Sequence, residues 1–163
     1  HQGSLGQDRM VTIGIDPGAG GGVAVHDAGA ITLHRMPKGE LEIAELVTRH
    51  LPRVAWVEEV SGFIGTPHPG SRMFNFGANY GCILGALHAL EFLSGNGCDV
   101  NLVRPQKWQK WLDMGNRSSA NVDKPEWKRM LKREARIRYP ELKITDKTAD
   151  ALLILDYGLS KQK

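Results

Sequence analysis

The chain has 163 residues, 41% of them apolar and 24% charged, a composition that fits one globular domain and argues against long disorder. No run of about 18 apolar residues occurs and no charged-apolar-small leader opens the chain, so the reading excludes a membrane-spanning segment. The net charge of +3 is unevenly placed: Arg104 to Arg138 holds 11 Lys/Arg against 4 Asp/Glu, and the remainder holds 10 against 14. One basic region on an otherwise even molecule points to an anionic partner met on one side, or to a solvated helix face.

His1 to Arg9 is polar and aperiodic, and reads as an appended remnant outside a single domain over residues 10–160. Val11 to Ile15 is a short β-branched run that ends in the turn signal Asp16-Pro17-Gly18. Gly20-Gly21-Gly22 leads into a second strand, Val23 to Val25, and Asp27-Ala28-Gly29 turns into a third, Ile31 to Leu33. Glu40 to Leu51 has helical apolar spacing, and Val54 to Val57 reads as a strand apolar on both faces, hence central. Ser61 to Ser71 reads as a long loop rich in glycine and proline.

Phe74 to Leu93 follows as a mostly apolar helix with Gly77, Gly81 and Gly85 on one face. Such a row implies close approach of another backbone, by default the sheet, otherwise a second subunit. Val100 to Val103 is a fifth strand and Lys107 to Met114 a short helix. Asp123-Lys124-Pro125 starts a helix that runs to about Tyr139. Its apolar side uses Trp127, Met130, Leu131 and Ala135; its other side carries Lys128, Lys132 and Arg136. Asp146 to Leu159 reads as the last helix. Three meander strands followed by α/β units predict a mixed sheet with helices on both faces. Cys82 and Cys98 lack the number and spacing of a disulfide scaffold or a zinc cluster, which suits a reduced intracellular compartment.

Four carboxylates stand against apolar surroundings. Asp16 ends one strand and Glu58 ends another, with Glu59 as a rival because adjacent strand residues face opposite sides. Asp146 and Asp150 are four apart, one turn of a helix, and Asp150 opens the run Ala151 to Leu155. Buried like charges persist when a cation joins them. Acids without His or Cys partners favour Mg²⁺ or Mn²⁺, and two such ions suit phosphodiester hydrolysis. Simpler roles exist for each: Asp16 as a turn cap, Asp146 as a helix N-cap, Asp150 as a lysine partner.

Together these residues resemble the RuvC-type Holliday junction resolvases. Ile13-Gly14-Ile15-Asp16-Pro17-Gly18 with Gly22 to Val25 looks like their opening motif, and Trp56-Val57-Glu58-Glu59-Val60 resembles their second. Val103-Arg104-Pro105-Gln106-Lys107-Trp108 is similar to a strand-to-helix passage of phage and plastid relatives, and Asp146 to Ile154 looks like the closing motif. The resemblance implies an α/β, ribonuclease-H-like fold: a five-stranded mixed sheet flanked by helices on both faces. It implies Asp16, Glu58, Asp146 and Asp150 as catalytic metal ligands for two Mg²⁺ or Mn²⁺ ions, and it favours Glu58 over Glu59. Many members space the last two acids by three; that position here is Lys147.

The resemblance also implies a homodimer nicking opposing strands of four-way branched DNA, in the cytoplasm of a bacterium or a phage-infected host cell. The long helix after the Glu strand would flank the dimer axis. Candidate DNA contacts are Lys107, Lys110, Arg129, Lys132, Arg133, Arg136 and Lys147, with Phe63 as the aromatic wedge and Phe74 second, although Phe74 is expected to anchor its loop to the core. Trp108, Trp111 and Trp127 read as core. Other readings are an inactive branched-DNA binder, a hybrid-cleaving ribonuclease of the same superfamily, and a sugar-kinase or actin-like phosphate-binding domain, for which the chain is short.

Overall fold

The computed structural model describes residues 9–60, 70–95 and 97–162. The chain runs β1 (Thr12–Asp16), β2 (Gly22–Asp27), β3 (Ala30–Arg35), α1 (Glu40–Thr48), β4 (Val54–Glu58), α2 (Gly70–Ser94), β5 (Asp99–Val103), α3 (Pro105–Trp111), α4 (Lys124–Arg138) and α5 (Ala149–Ser160). The element order is the one the sequence predicts. The sheet order is β3-β2-β1-β4-β5. β1, β2 and β3 form the antiparallel meander, while β4 lies parallel between β1 and β5. The β2–β3 turn places Ala28 and Gly29 at φ of 49° and 83°. Positive φ at both central residues fits a tight hairpin whose twist matches its strands, and glycine takes it without strain.

Strand alternation sorts the core into two layers. One gathers Ile13, Ile15, Val23, Val25, Ala55 and Val57 with Ile43 of α1 and Ile83 and Leu87 of α2. The other gathers Trp108, Trp127, Leu131 and Ala135 with the apolar run of α5. Helices therefore cover both faces. α5 is apolar nearly all round, with Ala149 to Leu155, Tyr157 and Gly158 buried, as a helix sandwiched between sheet and other helices must be. It lies against β1, and a Cβ on Gly14 would meet the Leu155 backbone nitrogen at 2.4 Å and the Ala151 carbonyl at 2.6 Å. Only glycine permits that approach. On β4, Trp56 stacks edge-on against Tyr157 of α5, with ring centroids 5.5 Å apart.

Several expectations need correction. α2 begins at Gly70, so Gly70 and Ser71 belong to the helix and not to the preceding loop. Among the described residues, no atom outside α2 lies within 4 Å of a Cβ built on Gly77, Gly81 or Gly85, so the sheet does not press on this row. The apolar residues Ile83, Leu87 and Leu90 hold α2 down, leaving the glycine face outward. Phe74 is 76% exposed and anchors nothing to the core. α5 begins at Ala149, three residues later than the periodicity predicts, with Thr148 and not Asp146 at the N-cap position. The reason is local: Thr148 Oγ1 accepts a hydrogen bond from Thr145 N at 3.1 Å, and Thr145 O accepts from Ala149 N at 3.1 Å. That closed turn holds residues 146–147 off the helix.

Replacing Gly14 with Ala forces β1 and α5 apart through rigid backbone. The expected loss is about 3 kcal/mol of unfolding free energy, the upper end for overpacking. Urea denaturation of Gly14→Ala beside the parent chain measures it.

Candidate functional site

Asp16 and Glu58 close two neighbouring parallel strands. Ile15 pairs with Val57, so the two acids follow in register and share the sheet face opposite Ile15 and Val57. Asp150 comes to the same place from above, in the first turn of α5, where helix geometry favours a carboxylate. The close seating of α5 at Gly14 fixes its height. The glycine turn before β2 wraps the other side: a Cβ on Gly21 would stand 2.6 Å from the Asp16 carboxyl carbon. Glycine there leaves room for the acid.

The three carboxylates act on one another. Burial, then the negative charge of Asp150, pushes Asp16 up to about 6, although Lys128, the Gly18 N–H and Lys147 oppose the rise. Burial and then Asp16 push Glu58 up to about 7, opposed by the Trp108 indole. Trp108 Nε1 donates to Glu58 Oε2 at 2.9 Å, and Gly18 N donates to Asp16 Oδ1 at 3.2 Å. Asp150 is bound by the ammonium of Lys128, from α4. Burial alone would depress the Lys128 pKa, but Asp150, Asp16 and Glu58 outweigh it and hold the ammonium above the ordinary lysine range.

The donor set is all oxygen and in mutual electrostatic reach, which fits a hard divalent cation in kind. Among the described residues, however, no three His, Cys, Asp or Glu side chains are gathered closely enough to hold a metal ion. Asp150 is turned to Lys128 and Glu58 to Trp108.

The remaining expected residues separate into groups. Asp146 is 83% exposed and pairs with Lys132 at 2.7 Å, which holds its carboxyl below the usual range. It does not share a helix face with Asp150, because it precedes α5. Asp16, Asp146, Asp150, Lys128, Arg129 and Lys132 nevertheless line one groove of about 410 Å³. Lys147 is exposed and its ammonium lies 3.2 Å from where a Gly20 Cβ would stand, beside the same turn. Arg133 and Arg136 lie exposed on α4. Lys107 and Lys110 line a different groove of about 950 Å³ at the β5 edge, with Glu59, Leu102 and Arg104. Glu59 pairs with Arg104 at 3.1 Å, so of the two adjacent acids it is Glu58 that faces Asp16. Phe63 lies outside the described residues.

Two residues of the site escaped the sequence reading. Trp108 is fully buried as expected of a core residue, yet its N–H serves the site. The available signal was that a buried indole N–H requires an acceptor. Lys128 reads from the sequence as one of the basic row of α4, open to an anionic partner or to solvent, and its reach to Asp150 follows only from how α4 crosses α5.

No family model matches the chain, and no curated protein matches it in sequence. In structure it is similar to the RuvC of Thermus thermophilus. The form in complex with a Holliday junction substrate gives a TM-score of 0.57 at 20% identity, over 93% of this chain and 96% of that one. The Thermus thermophilus RuvC structure gives 0.56 at 21% identity, over 94% and 97%. A Fowlpox virus resolvase with its substrate Holliday junction DNA aligns at 0.45 and 17% identity, over 93% and 96%. The fold is ribonuclease-H-like, a mixed five-stranded sheet flanked by helices, and is shared with those RuvC structures.

Two outcomes follow from the charges. A carboxyl raised in the folded state stabilises it fully below its unfolded value, and that contribution disappears as pH climbs through the folded value. The metal-free protein therefore loses stability from Asp16 and Glu58 between about pH 4 and 7. Asp16→Asn keeps the bond from Gly18 and removes the repulsion, so its melting temperature exceeds the parent's at about pH 8, with a gap that narrows at about pH 5. Trp108→Phe keeps an aromatic ring at the position, smaller than the indole, and loses the donor. Carboxyl NMR should then show Glu58 titrating roughly one unit higher.

Proposed function

We propose that the protein is a divalent-metal-dependent endonuclease that resolves four-way DNA junctions. The observation that carries the reading is the convergence of Asp16, Glu58 and Asp150, mutually repelling and largely withdrawn from water, beside a groove lined by Lys128, Arg129 and Lys132. Acids held together at such cost call for a cation, and the basic wall suits a phosphodiester. The RuvC-type fold supports the choice of a junction over other nucleic acids.

Asp16, Glu58 and Asp150 would hold Mg²⁺ or Mn²⁺, up to two ions per site, with Asp146 joining from the groove rim. When bound, the ions would supply an activated water and charge for the leaving oxygen. The chain's own residues do the rest. Trp108 fixes the orientation of Glu58, and the Gly20–Gly22 turn leaves room against Asp16. Arg129 and Lys132 orient a phosphate from the α4 side, with Arg133, Arg136 and Lys147 beyond. Lys107 and Lys110 would guide a second arm at the β5 edge. The pairing of incisions on opposing strands needs two sites, hence a homodimer. The outward row Gly77, Gly81 and Gly85, with exposed Phe74, suits helix packing across a dyad. Phe63 retains its place as the proposed wedge.

The test is strand-resolved cleavage of a synthetic four-way junction with Mg²⁺ or Mn²⁺, beside linear duplex and Asp16→Asn. Paired opposing nicks, absent on duplex and reduced at least about a thousandfold in Asp16→Asn, are expected. Tight junction binding with no nick under either metal, across varied junction sequences, makes the protein a structure-specific DNA binder instead.

A further inference from the structure

The groove beside the acids has a property that its composition alone does not reveal. Lys128 binds Asp150, Lys132 binds Asp146, and Arg129 binds Glu126. All three cations that α4 presents to the groove are thus already satisfied by carboxylates of the chain. Lys128 and Lys132 are one helical turn apart, and each holds an acid from the segment at or just before the start of α5. The Lys128 side chain is half exposed while its partner Asp150 is only 9% exposed. The lysine therefore reaches inward from a flexible, partly solvated stem, and it is the lysine that is free to leave.

We propose that Lys128 is an exchangeable counter-ion of the acidic site: it competes with divalent cation for Asp16, Glu58 and Asp150, and on displacement it becomes a phosphate ligand for DNA. This rests on the functional reading above. It accounts for why three acids in mutual reach are not drawn together around one point: Asp150 is engaged with the ammonium. Lys132 makes the same exchange at Asp146, one turn along. Cation and DNA are then coupled without any change of fold. The cation releases lysines for phosphate, and phosphate withdraws lysines from the acids. Such coupling is reciprocal, each ligand raising the other's affinity by one common factor.

The probe is Ca²⁺, titrated into the metal-free chain by calorimetry, with and without a four-way junction. Lys128→Met should take up Ca²⁺ about tenfold more tightly than the parent, because the competitor is gone. It should also melt lower without Ca²⁺ and recover with it, since Asp150 loses its partner. In the parent, Ca²⁺ should tighten junction binding about tenfold. It should also steepen the dependence of log affinity on log salt by about 0.9 for each lysine released. Both gains should shrink in Lys128→Met. Lys128→Gln, which keeps a polar partner for Asp150, provides the same comparison if the Met variant does not fold. Parent and variants binding Ca²⁺ equally, or the variants binding it more weakly, overturns the exchange and leaves the proposed function standing. A parent chain that takes up no Ca²⁺ and cleaves no junction overturns both.

Discussion

The site depends on how near α5 comes to β1. A glycine at position 14 lets the helix backbone rest almost on the strand. From that seating come the burial of the α5 apolar run, the packing of Trp56 on Tyr157, and the height at which Asp150 enters above Asp16 and Glu58. The approach also has an electrostatic cost. It removes water from three acids that repel one another, and the rest of the neighbourhood offsets that cost locally. The Trp108 indole serves Glu58, the Gly18 N–H serves Asp16, and the Lys128 ammonium serves Asp150. Each compensating group comes from a different element, so the site ties the turn after β1, α3 and α4 to one another.

Much of this is legible in the sequence because it is written in local patterns. β-branched runs closed by Asp-Pro-Gly or Asp-Ala-Gly define the meander, and the strand apolar on both faces does lie between two others. Pro125 and Asp123 mark the start of α4, where the Asp123 side chain accepts from Glu126 N at 2.8 Å. The pairing of Asp16 with Glu58 follows from two acids that each end a core strand. The choice between Glu58 and Glu59 does not, since alternation says only that they diverge. Register with β1 decides it.

What stayed hidden depends on partners distant in the chain. Periodicity carried the last helix back to Asp146, but the hydroxyls of Thr145 and Thr148 bind each other's turn and start the helix later. Glycines at four-residue spacing define a face without saying what, if anything, meets it. The lysines of α4 read as a row for DNA or for solvent because their acids lie on another element. Helical spacing reveals which side chains share a face; it does not reveal the angle at which that face meets its neighbour.

The central position of α5 has a consequence for how the protein is made. The helix that fills the core and supplies the third acid is synthesised after every strand of the sheet it covers. Until it leaves the ribosome, β1 and β4 have no cover on one face and Asp16 and Glu58 remain in open water, weakly interacting. The acidic centre therefore assembles only after the whole sheet has been made, and no nascent product that lacks α5 brings its three acids together.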